Sequence, residues 1–142
     1  MQFTSVAAAD GVIERLFNLK VNGESVPGVI WTPSGSSDRL PVVLMGHGGS
    51  QHKKFVSLSN RAQKYVRDLG FAVVAIDAPG HGERPPSEQG AKFVAELQKK
   101  MAVGQPVGEI VAHEMTRIAL QAVPEWQTAL DAVQTLDEVG QG

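Results

Sequence analysis

Leu40-Pro41-Val42-Val43-Leu44-Met45-Gly46-His47-Gly48-Gly49-Ser50 is the stretch whose reading decides the fold of this chain. An uncharged apolar run opens directly into a loop of glycines around a histidine. Apolar residues without polar alternation are expected of a parallel strand covered on both faces. The same arrangement recurs at Phe71-Ala72-Val73-Val74-Ala75-Ile76, which runs into Asp77-Ala78-Pro79-Gly80-His81-Gly82-Glu83-Arg84. Between the two runs Phe55, Leu58, Ala62, Tyr65, Val66 and Leu69 recur at spacings of three and four. That spacing predicts a helix over 55–69, with Gly70 suited to end it. Strand, helix and strand together form a right-handed crossover.

Upstream, residues 12–21 and 25–32 read as two strands joined at Asn22-Gly23, a strong hairpin signal. Pro27 marks an edge or irregular stretch in the second. Residues 34–38 (Ser-Gly-Ser-Ser-Asp) are a loop. Downstream of a Pro/Gly-rich loop over 78–90, three helical stretches are expected. Phe93, Leu97 and Met101 mark the first, and Ile110, Val111, Met115, Ile118 and Ala122 the second. The third starts at Pro124, whose missing N–H costs nothing at a first helical position, and carries Trp126, Leu130 and Val133. These stripes read as core packing. The prediction is one α/β domain over 1–142: an N-terminal antiparallel hairpin, then parallel strands with flanking helices, four strands in all.

The composition is that of a globular chain, 42% hydrophobic and 20% charged over 142 residues. A net charge of −2 supplies no field to attract nucleic acid or an anionic membrane. The pairs Lys53-Lys54 and Lys99-Lys100 read as solvated. The absence of cysteine excludes disulfides and thiolate metal sites. Residues 1–10 have neither the basic start nor the long apolar core of a signal peptide, and no run approaches a membrane span. A cytoplasmic location is expected.

Both glycine loops fall at carboxyl ends of strands, where open α/β sheets bind ligands. Gly46, Gly48 and Gly49 let backbone N–H groups face a ligand unobstructed, although the same glycines also make plain turns. Aimed N–H donors are what stabilises the oxyanion of an acyl-transfer transition state. Other chemistries fit less well. His47, His52, His81, Asp77 and Glu83 lack the spacing of a helix-borne metal site, so no metal is expected. A dinucleotide fingerprint fails because Gln51 and Pro85 stand where its third glycine would be, and no cofactor is expected. His113, with Glu109 and Glu114, reads as a solvated helix face.

Asp77-x-Pro79-Gly80-His81-Gly82-x-Arg84, about thirty residues beyond a His-Gly-Gly loop, resembles the α/β-hydrolase superfamily and its dienelactone-hydrolase-like and esterase groups. The resemblance covers nearly the whole chain. It implies an oxyanion-hole role for the Gly49 N–H, with Ser50 the less favoured donor. It also implies that His47, Gly48, Asp77, Gly80, His81, Gly82 and Arg84 structure the loops, Asp77 and Arg84 through hydrogen bonds and an ion pair. The family's nucleophile sits on a Gly-x-Ser-x-Gly elbow. None of the nine serines here has that context, so no nucleophile is expected within the chain.

The resemblance therefore implies a partial α/β-hydrolase fold, lacking the C-terminal half of the sheet, with the next strand starting after Gln141-Gly142. Residues 85–123, longer than a simple connection, are expected to form a lid or pocket wall in which Phe93, Leu97, Met101 and Met115 touch an acyl group. The implied function is the oxyanion-loop half of a serine hydrolase acting on carboxylic esters or lactones, with triad residues in a C-terminal chain. The alternative is a non-catalytic binding or assembly protein on the same scaffold. In the family's strand order the strand at 40–46 would present an open edge. A complementary C-terminal chain or self-association through that edge is accordingly expected.

Overall fold

The computed structural model describes residues 1–36 and 38–140. Ser37, within the loop expected over 34–38, lies outside the described residues. So do Gln141 and Gly142, after which the resemblance put a further strand.

Five strands form one mixed sheet: β1 (Phe3–Ala9), β2 (Val12–Val21), β3 (Glu24–Pro33), β4 (Val42–Leu44) and β5 (Ala72–Ile76), in the order β1-β2-β3-β5-β4. β5 runs antiparallel to β3 and parallel to β4. The hairpin at Asn22-Gly23 forms as read, with both residues at positive φ. The expected count of four strands falls one short, because β1 pairs antiparallel with β2 across Asp10-Gly11. β1 is almost wholly exposed, so no buried face betrays it by periodicity. Its only sequence signal is the Asp-Gly turn.

Pro27 does not sit on an edge, because β3 is paired on both sides. It lies one residue beyond the ladder with β5, where no N–H is required, and its carbonyl accepts the Asp77 N–H at 2.9 Å.

α1 (Val56–Leu69) ends at Gly70 in the left-handed region, φ 68°, close to the expected bounds. It covers one sheet face, where Leu58, Ala62 and Val66 pack on Val29, Trp31, Val73 and Ala75. The other face, built from Phe17, Val26, Ile30, Ala72, Val74 and Ile76, is covered by Ala129 and Val133. Successive β5 residues thus enter opposite layers, which is why its sequence is apolar without alternation.

The three expected helical stretches resolve into two. α2 spans Glu88–Ala102, with Ser87 capping its start by accepting the Gly90 N–H at 3.2 Å. α3 runs unbroken from Gly108 to Val133, with Pro124 inside it rather than at the start of a new helix. The C-terminal part of α3 is buried on the sheet strongly enough to carry the helix through a residue that removes one of its hydrogen bonds. No described helix is long and apolar enough to cross a membrane.

β4 is shorter than the strand read over 40–46. On its outer side Val139 bridges in parallel to Leu40: the Leu40 N–H donates to Glu138 O at 2.8 Å and the Gly140 N–H to Leu40 O at 2.9 Å. The chain leaving α3 therefore takes the outer side of residue 40. Farther along, the outward N–H and C=O groups of Val42 and Leu44 meet no backbone partner among the described residues.

Candidate active site

The two glycine loops leave the adjacent, parallel ends of β4 and β5, so the sheet sets them side by side. A histidine sews them together. His47 Nε2 accepts the Ala78 N–H at 3.0 Å, and its Nδ1 lies 2.9 Å from Gly48 O. An N–H donor at Nε2 and a carbonyl at Nδ1 together specify the neutral Nδ1–H tautomer. Both ring nitrogens are thereby committed to backbone. The His81 ring stands 5.4 Å away, centroid to centroid, with Nδ1 2.9 Å from Pro79 O.

Asp77 is the fully buried hub of the second loop. Its Oδ1 accepts the Lys53 amide at 2.8 Å; its Oδ2 accepts the Lys53 ammonium at 2.8 Å and the Glu83 amide at 3.1 Å. Burial alone would raise this carboxyl, but these hydrogen bonds outweigh it and hold the group below its usual value. Gly82, at φ 59°, passes so close that a Cβ there would meet the Asp77 carboxylate at 2.3 Å. The turn needs glycine for both space and conformation.

Arg84 is buried as well, but its ion pair is not with Asp77. Its guanidinium binds Glu125 of α3 through Nη1–Oε2 at 2.7 Å and Nη2–Oε1 at 2.8 Å, and Glu24 at 2.8 Å. Only the Asp77 backbone carbonyl accepts from it, at 3.3 Å. Burial would lower the guanidinium; the carboxylates of Glu125 and Glu24 more than offset that and hold it above its usual value. The expected Asp77–Arg84 pair is therefore corrected to two pairs, Lys53–Asp77 and Arg84–Glu125. Lys53 is corrected too, from a solvated residue to a buried one, while Lys54 reaches Glu14 at 2.6 Å.

Beside the loops opens a cavity of about 680 Å³. Gly49, Ser50 and His81 line it from the loops, and Phe93, Met115 and Ile118 line it from α2 and α3, beside Gln98, Glu114 and Arg117. Leu97 and Met101, expected beside them, do not line it, and Met101 is exposed. The Gly49 amide has no acceptor among the described residues, whereas the Gly48 N–H is taken by Gln51 Oε1 at 3.1 Å. Ser50 sits at φ 61°. Glu114, read as solvated, is instead buried at the cavity margin, where the Arg117 guanidinium holds its carboxyl below the usual range. Glu125 and Arg117 were not singled out in the sequence, and Lys53 only as solvated. Nothing local marks Lys53 or Glu125, whose partners Asp77 and Arg84 lie 24 and 41 residues away.

No protein-family model and no curated relative matches the sequence. Solved structures do. A cold-adapted esterase from an Arctic intertidal metagenomic library is 31% identical over 97% of this chain, with a TM-score of 0.68. An S-formylglutathione hydrolase from Agrobacterium tumefaciens (21% identity, 63% of this chain, TM-score 0.51) and an acetyl xylan esterase from Paenibacillus sp. R4 (22%, 61%, 0.50) share the fold. These neighbours are esterases of the α/β-hydrolase superfamily, and the chain carries that superfamily's fold. It spans 52% of the length of the Arctic esterase, 33% of the Agrobacterium enzyme and 28% of the Paenibacillus one.

Proposed function

We propose that this chain is the oxyanion-loop half of a serine hydrolase that cleaves carboxylic esters or lactones through an acyl-enzyme. The observation that carries the reading is that Gly49, whose N–H is unbonded within the described residues, lines a cavity that Phe93, Met115 and Ile118 also line. As the scissile carbonyl becomes tetrahedral, its oxygen gains charge, and a fixed N–H donor stabilises that charge more than the ground state. Gly49 is the donor. Ser50, which lines the same cavity, is the less favoured donor by the resemblance alone, and His47, locked between two backbone groups, holds the loop rather than moving protons. The acyl group lies against Phe93, Met115 and Ile118, within the 85–123 cover expected to form a pocket wall.

The nucleophile, its acid and its base belong to chain outside these 142 residues, supplied as continuous sequence or as a complementary partner. The Arctic esterase, matched along nearly all of this chain yet almost twice as long, supports that division. The test is turnover of p-nitrophenyl butyrate by the natively produced protein and its Gly49→Pro variant, which lacks the donating amide. Loss of one such donor is expected to lower kcat by roughly 10²–10³. Unchanged kcat in the variant, or no ester turnover by the native protein, overturns the reading.

A further inference from the structure

A second cavity, of about 510 Å³, adjoins the one at Gly49: Pro79, Gly80, Pro86, Ser87 and Arg117 line both. Its lining is different in kind. Apart from Gly80 and the prolines, every residue around it is polar or charged. Arg117 stands where the two meet. Its guanidinium is held by Glu114 through Nε–Oε2 at 2.9 Å and Nη2–Oε1 at 2.6 Å, while Nη1 has no acceptor among the described residues. Gln121 lies one helical turn further along α3 and lines the second cavity too. Its NH₂ group donates to Glu24 at 3.2 Å and to Glu125 at 3.4 Å, and its carbonyl oxygen receives nothing among the described residues. Glu24 accepts Arg84 and Gln121 on Oε2 alone, so its Oε1 is uncommitted as well.

These three side chains offer one fixed donor group and two acceptors. A hydroxyl both donates and accepts, so several hydroxyls on one molecule satisfy such a set. An alkyl group would take water from all three and return no hydrogen bond. An anion would face the Glu24 carboxylate, and the Arg117 charge is already matched by Glu114. From this we infer that the second cavity receives the alcohol part of the ester, that this alcohol is a neutral polyol, and that Arg117 and Gln121 select it. The inference rests on the hydrolase reading and names its substrate class. The acyl group stays in the cavity at Gly49. On cleavage, water adds its hydroxyl to the acyl carbon and its remaining hydrogen to the polyol oxygen, which leaves as free alcohol.

The test compares kcat/KM of the natively produced protein for glucose 6-butyrate and cyclohexylmethyl butyrate, which share the acyl group and a six-membered ring on a methylene. The sugar ester is expected to be preferred at least about tenfold, because the carbocycle leaves the polar groups unpaired. Glu114→Gln with Arg117→Met removes both charges together, so neither is left buried without its partner, and is expected to bring the ratio near one. Gln121→Leu leaves that ion pair intact and is expected to lower the ratio at least about threefold. A ratio near one in the native protein, or a native ratio in either folded variant, overturns the inference. Turnover of neither ester removes the hydrolase reading. Saturation-transfer NMR with methyl glucoside then tests the cavity by itself: transfer that Gln121→Leu weakens supports the polyol site, and no transfer to the native protein's ligand overturns it.

Discussion

Arg84 and Glu125 lie 41 residues apart and meet in a two-pronged ion pair at 2.7 and 2.8 Å, with side chains only 2% and 3% exposed. The pair fastens the loop after β5 to the longest helix and so fixes one side of the cavity. Removing one member of a buried pair leaves an uncompensated charge, at about 3–5 kcal/mol. Glu125→Ala is expected at the lower end of that range, because Glu24 still faces Arg84. Glu24, 62% exposed, is expected to contribute less than about 1 kcal/mol. Urea unfolding of both variants gives the comparison; equal shifts would contradict it.

Acid should weaken the protein through Asp77. Its folded carboxyl titrates below the ordinary 3.8, so between the two values the unfolded chain binds more protons. Its contribution is complete above the unfolded value and is lost as pH falls through the folded one. Glu114 and Glu138 are lowered too and act in the same direction. Arg84 and Arg117 are raised above the ordinary guanidinium value, so their contribution is lost only in strong alkali. Thermal melts should therefore show Tm falling below about pH 4. Asp77→Asn should flatten that fall.

Gly82→Ala is a sharper test of the same hub. The left-handed conformation alone costs an L-residue about 1–2 kcal/mol, and the new methyl would collide with the Asp77 carboxylate. At Gly104, φ 68°, a methyl would find open space, so Gly104→Ala should cost only the conformational part. The difference between the two unfolding midpoints measures the steric part; equal midpoints would mean that Asp77 is not held where described.

The outer side of β4 predicts association. Among the described residues, the outward backbone groups of Val42 and Leu44 have no backbone partner, and Leu44 is exposed at the same edge. Such edges template strand addition. The 142-residue chain should show mass rising with concentration in light scattering, and Leu44→Lys should raise the monomer fraction. A monodisperse monomer at high micromolar concentration would contradict this expectation.

What could be read in the sequence was whatever is written locally. The apolar runs at β4 and β5, the stripe of α1 and the turn at Asn22-Gly23 are each complete within a short window. The glycine loops were legible because a tight turn permits few residue types. β1 escaped because Ala7-Ala8-Ala9 buries neither face. Pro124 misled because its cost inside a helix is offset by burial of Ala129 and Val133, which depends on strands far earlier in the chain. The burial of Lys53 and Glu125 was invisible for the same reason: a buried charge is defined by its partner.

The most direct test treats the natively produced protein with a serine-reactive phosphonate, measures p-nitrophenyl ester turnover and intact mass, and maps the label. The predicted result is loss of activity, with the label on a serine outside residues 1–142. A label on any of the nine serines within this chain, or a protein of these 142 residues with neither turnover nor label, would contradict it.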